Sequence, residues 1–157
     1  MATRALDIIQ RLDLQPHPEG GRYRRVFESQ RKVSRAGTAE ERLALTSIIY
    51  LLRAGEQSDW HRVASDEAWH FYEGAELALT SALPDGSGAE VLRLGPLHDG
   101  VRPVHVIPAG HWQRARSLGD YTLVGCSVGP GFDFADFTLA RDLGPEQDDI
   151  RRRLETL

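Results

Sequence analysis

The sequence is poor in cysteine: it holds one, Cys126, among 157 residues. A single cysteine excludes a disulfide within the chain and is typical of proteins from a reducing compartment. Cys126 lies inside the apolar run 121–128. A reactive cysteine needs accessible, electropositive surroundings, which this run does not offer. We therefore expect Cys126 to be a buried structural thiol.

Long apolar runs and a basic face are also missing. No stretch approaches the ~20 apolar residues of a membrane-spanning helix, and the first residues lack the basic-then-apolar layout of a secretory signal. The net charge is −4, and the arginines at 22–25 and 151–153 have acidic residues nearby. A nucleic-acid partner is not expected from this charge distribution. These features predict a soluble cytoplasmic protein with no membrane partner.

The length predicts one domain over residues 1–157, and 41% hydrophobic residues suffice for a sizeable core. Apolar spacing predicts a helix over 3–14, and Pro145 with an acid-then-base charge order predicts another over 145–155. Between them, roughly over 20–140, short strands follow one another without βαβ alternation. They are predicted at 22–27, 43–52, 77–83, 90–94, 101–107, 112–115 and 121–128, with a mobile loop over 29–41. This rhythm indicates an all-β sandwich or barrel.

The segment 58–74 concentrates the polar and aromatic residues between two apolar strands. It holds two histidines, several carboxylates, two tryptophans and a tyrosine. His61 and Glu67 are the leading candidates, because an imidazole and a carboxylate can share a metal ion or a proton. A turn near 65–66 predicts a hairpin that brings both side chains to one face of neighbouring strands, pointing into the barrel.

Four motifs relate the chain to a known family. They are HPEGG at 17–21, SDExWHF at 65–71, PAGxWQ at 108–113 and VGCxVxPGFDF at 124–134. Together they resemble the cupin superfamily, in the branch called cupin type five. That resemblance implies a double-stranded β-helix, or jelly roll, with a pocket inside the barrel and short flanking helices.

The resemblance also bears on metal binding. Metal-binding cupins offer three histidines and one glutamate, and His61 and Glu67 occupy two of these four positions. Val63 stands at the second histidine position and Gln113 at the third. Valine cannot bind a metal and glutamine is a poor ligand, so no cofactor is predicted. A divalent metal, if one binds, would use His61, Glu67 and Gln113.

Proton transfer is the favoured chemistry. Sugar-nucleotide epimerases of the cupin superfamily use a barrel histidine as base and a tyrosine as acid, which suggests His61 as base, oriented by Glu67, and Tyr72 as acid. Aromatic and polar neighbours are expected to line the ligand pocket: Tyr50, Ser58, Trp69, His70, Phe71, Trp112 and Gln113. Glu19 lies within the HPEGG turn and Arg22 follows it directly; either could approach the barrel mouth.

These observations favour a small-molecule-binding cupin of isomerase or epimerase type that acts on a carbohydrate-like polar metabolite. Two alternatives stay open at this point: a metal-dependent cupin enzyme, such as a dioxygenase or isomerase, and a non-catalytic metabolite or sugar binder. An open jelly roll leaves strand edges that need covering, which predicts a homodimer.

Overall fold

The computed structural model describes residues 2–157, so residue 1 of the predicted domain lies outside the described part. Two helices flank a set of antiparallel strands. In chain order the elements are α1 (Ala2–Arg11), β1 (Gln15–Pro16), β2 (Arg22–Glu28), β3 (Lys32–Ser34), β4 (Glu41–Leu43), β5 (Thr46–Arg53), β6 (His61–Val63), β7 (Asp66–Gly74), β8 (Leu77–Ala82), β9 (Glu90–Leu94), β10 (Val104–Ile107), β11 (Trp112–Ser117), β12 (Tyr121–Gly129), β13 (Phe137–Leu139) and α2 (Asp148–Glu155).

Two sheets form the body of the molecule. One has six strands in the order β1-β2-β5-β12-β7-β10, and the other has five in the order β13-β6-β11-β8-β9. The inward side chains of both sheets meet in an apolar core around Trp69, Tyr50 and Leu79. This arrangement confirms the all-β jelly roll, the double-stranded β-helix implied by the family resemblance.

Several predicted boundaries change in the structure. The first helix ends at Arg11 rather than at residue 14, because Asp13 turns the chain with a positive φ of 50°. The predicted loop 29–41 contains β3, which pairs with β4 as a small hairpin. The predicted strand 43–52 is therefore divided between β4 and β5. β10 begins directly after Pro103 and is an edge strand of the six-stranded sheet, as expected for a strand that follows proline.

The predicted hairpin between His61 and Glu67 is wrong. β6 pairs with β11 and β13 in the five-stranded sheet, whereas β7 pairs with β12 and β10 in the six-stranded sheet. The turn at 64–65 therefore carries the chain from one sheet to the other. Both side chains still point inward, but they approach the barrel interior from opposite walls.

The helices close the outside of the barrel. The apolar side of α1 places Ile8 against Leu51 and Leu123 on the outer face of the six-stranded sheet. The last helix, α2, buries Leu154 beside Trp60 and Trp112. Within the described part of the chain, no helix is long and apolar enough to cross a membrane.

Candidate functional site

A cavity of about 600 Å³ lies inside the barrel at the end where β2, β6 and β13 approach one another. Buried polar side chains and apolar side chains form its interior, and charged side chains from the N-terminal segment and β2 form its mouth. The interior residues are His17, Glu19, Tyr23, Thr46, Ile48, His61, Val63, Glu67, Cys126, Val128, Phe132 and Phe137.

His61 reaches the cavity from β6 and is held by both ring nitrogens. Its Nδ1 lies 2.8 Å from the carbonyl oxygen of Asp59, and its Nε2 lies 3.0 Å from Oε2 of Glu19. A carbonyl oxygen only accepts hydrogen bonds, so Nδ1 carries a proton and donates it. Burial lowers the pKa of His61 to about 4. The ring is therefore neutral, and its unprotonated Nε2 carries a free lone pair.

Glu19 supplies the carboxyl that faces this lone pair. Its own pKa is raised well above 4.5, first by burial and then by the negative charge of Glu67. Oε2 of Glu19 and Nε2 of His61 lie 3.0 Å apart, close enough for one proton to be exchanged between the two groups. The sequence predicted Glu67 as the carboxyl that orients His61; the structure gives this place to Glu19.

The HPEGG turn brings Glu19 into the barrel. The backbone carbonyl of Glu19 accepts from the Asp59 amide at 2.6 Å, and the hydroxyl of Tyr50 donates to the Gly20 carbonyl at 2.6 Å. Gly20 and Gly21 have φ values of 107° and 71°, which side chains with a Cβ rarely adopt. The turn thus clamps the N-terminal segment against the segment that precedes His61.

Glu67 is the second buried carboxyl of the cavity, and a chain of hydrogen bonds orients it. The indole Nε1 of Trp69 donates to Oε1 of Gln113 at 2.8 Å, and Nε2 of Gln113 donates to Oε2 of Glu67 at 2.7 Å. Indole is only a donor, so it sets the direction of the Gln113 amide. Burial raises the pKa of Glu67 to about 7, although the Gln113 contact opposes this rise.

His17 is a second buried histidine of the site. Its side chain is 6% exposed, and its Nδ1 accepts the backbone N–H of Glu19 at 3.1 Å. The ring packs edge-on against Tyr23, with 4.5 Å between the ring centroids. Burial, followed by the nearby His61, lowers the pKa of His17 to about 4. His17 is therefore a neutral imidazole at the cavity wall.

Aromatic side chains and charged groups complete the cavity. Phe132, Phe134 and Phe137 form an edge-to-face cluster with ring centroids 4.9–6.0 Å apart. At the mouth, Arg24 pairs with Asp13 at 3.0 Å and Arg25 pairs with Glu28 at 3.4 Å. An apolar wall with few polar groups is typical of a small-molecule pocket.

Of the predicted catalytic residues, the structure brings His61 and Glu67 into the cavity but not Tyr72. Tyr72 is 56% exposed. Successive residues of a strand face opposite sides, so Tyr72 and His70 point away from the side that holds Glu67 and Trp69. The Tyr72 hydroxyl lies over Gly125, outside the barrel.

The other predicted pocket residues support the site instead of lining it. Ser58 is fully buried and accepts the Ala115 amide at 2.8 Å, and Trp112 donates to the Pro84 carbonyl at 3.2 Å. Tyr50 and Phe71 pack in the main core with Trp69. Gln113 is buried and reaches the site through its contact with Glu67.

The four metal-ligand positions of the cupin fold do not fit a metal ion in this chain. Val63 lines the cavity without a donor atom, and the only oxygen of the Gln113 side chain is engaged by Trp69. Nε2 of His61, the nitrogen that would face a metal, instead contacts Oε2 of Glu19 at 3.0 Å. Within residues 2–157, no group of three or more histidine, cysteine, aspartate or glutamate side chains is arranged to hold a metal.

Sequence reasoning missed His17, Glu19 and the aromatic wall as site residues. The available signal was the HPEGG motif, whose two glycines, with Pro18 and the preceding Pro16, indicated a turn but not its docking inside the barrel. Phe132, Phe134 and Phe137 were visible as an aromatic cluster. Their approach to His61, at 5.6 Å between the ring centroids of His61 and Phe137, depends on the pairing of β13 with β6.

Comparisons with known proteins agree with this fold. The model of a family described as cupin superfamily (DUF985) matches residues 6–140. No curated protein matches the chain. A solved hypothetical protein from Leishmania major is 28% identical, with a TM-score of 0.84, over 98% of this chain and 97% of that one. A protein from Shewanella oneidensis is 34% identical, with a TM-score of 0.77, over 94% of each chain.

A more distant likeness concerns the fold alone. Oxalate decarboxylase from Bacillus subtilis is 14% identical, with a TM-score of 0.58, over 82% of this chain and 30% of that one.

Proposed function

Because this chain belongs to the cupin superfamily, in the family DUF985, we propose that it is an acid–base enzyme of isomerase or epimerase type. Its substrate is a small, polar, carbohydrate-like metabolite that enters the barrel cavity. The observation that carries the proposal is the buried contact of 3.0 Å between Glu19 and Nε2 of His61, beside a second buried carboxyl, Glu67.

The two carboxyls have different environments and therefore different roles. Glu67 has a pKa of about 7, so about half of the molecules carry a carboxylate at neutral pH that can accept a proton from carbon. Burial, followed by the negative charge of Glu67, raises the pKa of Glu19 well above 4.5, which favours the protonated carboxyl beside His61. Paired groups with separated pKa values are typical of an acid and a base in one site.

A substrate in the cavity would lose a proton from carbon to Glu67 and receive one from Glu19. Nε2 of His61, 3.0 Å from Oε2 of Glu19, positions that carboxyl. Before the next turnover, water takes the proton from Glu67 and returns one to Glu19. Phe132 and Phe137 give the cavity an apolar wall, which strengthens polar contacts made beside it. No redox change is needed, since one proton leaves the substrate and another enters.

The test is deuterium incorporation. The protein is incubated in D2O with a panel of hydroxy-carbonyl sugars and sugar acids, and mass spectrometry counts deuterium bound to carbon. We expect incorporation with at least one compound, and a loss of about 10²–10⁴-fold in Glu19→Gln and Glu67→Gln. Glu90→Gln, an exposed carboxyl on β9, is the matched control. Binding without incorporation would instead support a non-catalytic binder.

We also propose a cytoplasmic location. The support is the single cysteine, Cys126, which is a free and buried thiol. Burial raises its pKa well above the usual value, so it stays protonated, as expected for a structural cysteine in a reducing compartment.

A further inference from the structure

His17 has one ring nitrogen without a partner. Its Nδ1 accepts the Glu19 backbone amide at 3.1 Å, whereas its Nε2 forms no hydrogen bond with any residue in the range 2–157. The side chain is only 6% exposed. Unlike the fully buried unpaired atoms of the chain, this nitrogen keeps accessible surface. His17 borders the cavity, so a ligand in the cavity could reach Nε2.

The backbone contact settles which nitrogen carries the proton. An amide N–H only donates, so Nδ1 of His17 must present its lone pair, and the proton of the neutral ring is on Nε2. Three rings hold the imidazole edge-on, those of Tyr23, Tyr50 and Phe137, at centroid distances of 4.5, 5.7 and 6.3 Å. The Nε2–H is therefore a donor with a set direction.

We propose that Nε2–H of His17 binds the carbonyl oxygen of the substrate, so that the substrate is a hydroxy-ketone or hydroxy-aldehyde. This inference rests on the proposed function, because it names the group that makes proton removal by Glu67 feasible. A proton next to a carbonyl is more acidic than one on a simple alcohol carbon. The carbonyl must therefore sit beside the carbon that exchanges.

The step balances without a further reactant. Glu67 takes the proton from the carbon next to the carbonyl, and the electron pair of the broken C–H bond forms the C=C bond of an enolate. The π electrons of the carbonyl move onto its oxygen, where the His17 N–H stabilises the charge. A neutral imidazole suits this role. Return of a proton to carbon restores the carbonyl and leaves the oxidation level unchanged.

The first test examines the wild-type protein alone. Nitrogen NMR of histidine-labelled protein distinguishes the two neutral tautomers of His17. We expect a proton on Nε2 and none on Nδ1 between pH 6 and 8. A proton on Nδ1 would overturn the inference, whatever the fate of any variant.

The second test uses erythrulose, a four-carbon hydroxy-ketone, and erythritol, its fully reduced counterpart. We expect erythrulose to bind at least 10-fold more tightly than erythritol, and its addition to shift the His17 Nε2 signal. His17→Phe should lose this preference and lower deuterium exchange at carbon by about 100-fold. His17→Gln, whose amide keeps a donor, should retain part of both. His105→Phe, on β10 outside the cavity, is the matched control.

The outcomes separate the two proposals. Exchange that is equal in wild type and His17→Phe would overturn the role of His17 while leaving acid–base catalysis standing. Binding of erythrulose that depends on His17, without exchange in the wild type, would uphold carbonyl recognition and contradict catalysis. Equal affinity of the wild type for erythrulose and erythritol would overturn the inference.

Discussion

Glu67 is a carboxyl placed where ionisation is costly. Burial raises its pKa from 4.5 to about 7. In the folded protein it therefore keeps a proton over a pH range in which the unfolded chain has already lost it. A raised carboxyl pKa contributes stability that is complete below pH 4.5 and is lost as the pH rises to about 7.

This linkage predicts the effect of Glu67→Gln, which keeps the shape of the side chain and can still accept from Gln113. Relative to the wild type, the variant should gain about 3 kcal/mol in the free energy of unfolding between pH 4.5 and 8. Urea denaturation at a series of pH values measures this difference. A difference that does not change with pH would show that Glu67 titrates normally. Glu90→Gln should follow the wild type throughout.

Positions 63 and 113 carry the two departures of this chain from the ligand set of metal-binding cupins. Val63 offers no donor and the Gln113 oxygen is occupied by Trp69, so we predict no tightly held transition metal in the native protein. Installing histidine at both positions, Val63→His with Gln113→His, should create a site that holds about one divalent ion per chain together with His61 and Glu67.

Elemental analysis of both proteins after purification without added metal measures this change. Adding His61→Ala to the double variant should remove the bound ion. The prediction fails if the native protein holds one iron, manganese, nickel, copper or zinc ion per chain and His61→Ala releases it.

At the scale of elements, the β3–β4 hairpin is tied to the segment that carries the aromatic wall. Asp136 accepts from Arg42 at 2.8 and 2.9 Å and from Arg35 at 2.6 Å. The hydrogen bonds of Arg42 are the main cause that lowers the pKa of Asp136 to about 2. Asp136 ends the short 3-10 helix that begins at Phe134, so the network links the hairpin to the cavity mouth.

Asp136→Asn should loosen this link. The stability that Asp136 contributes is present above pH 3.8 and is lost as the pH falls through about 2. At neutral pH we expect a loss on the order of 1–2 kcal/mol, since part of the network is open to solvent. Hydrogen exchange should become faster in β3, β4 and residues 132–137.

Lys32→Gln is the control for this variant. It removes an exposed ion pair with Glu41 at 3.8 Å, which is worth little in water. A specific role of the Asp136 network would be contradicted by either of two results: hydrogen exchange in Asp136→Asn that equals that of the wild type, or exchange in Lys32→Gln that is as fast as in Asp136→Asn.

At the scale of the whole molecule, β2 leaves an open edge. It pairs with β5 along one side, but on its other side β1 covers only Arg22 and Tyr23. In the described part of the chain, no further strand pairs with the remaining edge, and Val26 and Phe27 are 53% and 52% exposed there. Open apolar edges invite pairing with another chain. We propose that a second copy covers this edge in a homodimer.

Light scattering at micromolar concentration should therefore give twice the mass of the chain. Val26→Lys should shift the protein toward the monomer, because a charge on an edge strand opposes pairing. Val106→Lys, an equally exposed valine on β10, should leave the dimer intact. A wild-type monomer at this concentration would refute the homodimer, and a dimer lost only in Val106→Lys would move the interface to β10.

The sequence by itself determined the all-β jelly roll, the flanking helices and two residues that point into the cavity, His61 and Glu67. Alternation, turn residues and the four motifs are local properties, and they suffice for these features. Even Gln113 could be read from its motif as a replacement for a histidine ligand. Proline is disfavoured inside a sheet, so Pro103 agrees with a strand that starts after it at the sheet edge, as β10 does.

Only the tertiary structure decided which groups meet. His61 and Glu67 lie six residues apart yet belong to opposite sheets, and the carboxyl that contacts His61 is Glu19, from a turn 42 positions earlier. Pairing of β13 with β6, and docking of the HPEGG turn on Asp59, assemble these contacts over long chain distances. The pKa values follow from the resulting burial. Local sequence patterns do not predict these long-range contacts, because the free energy that stabilises the contacts comes from packing and desolvation of the complete barrel.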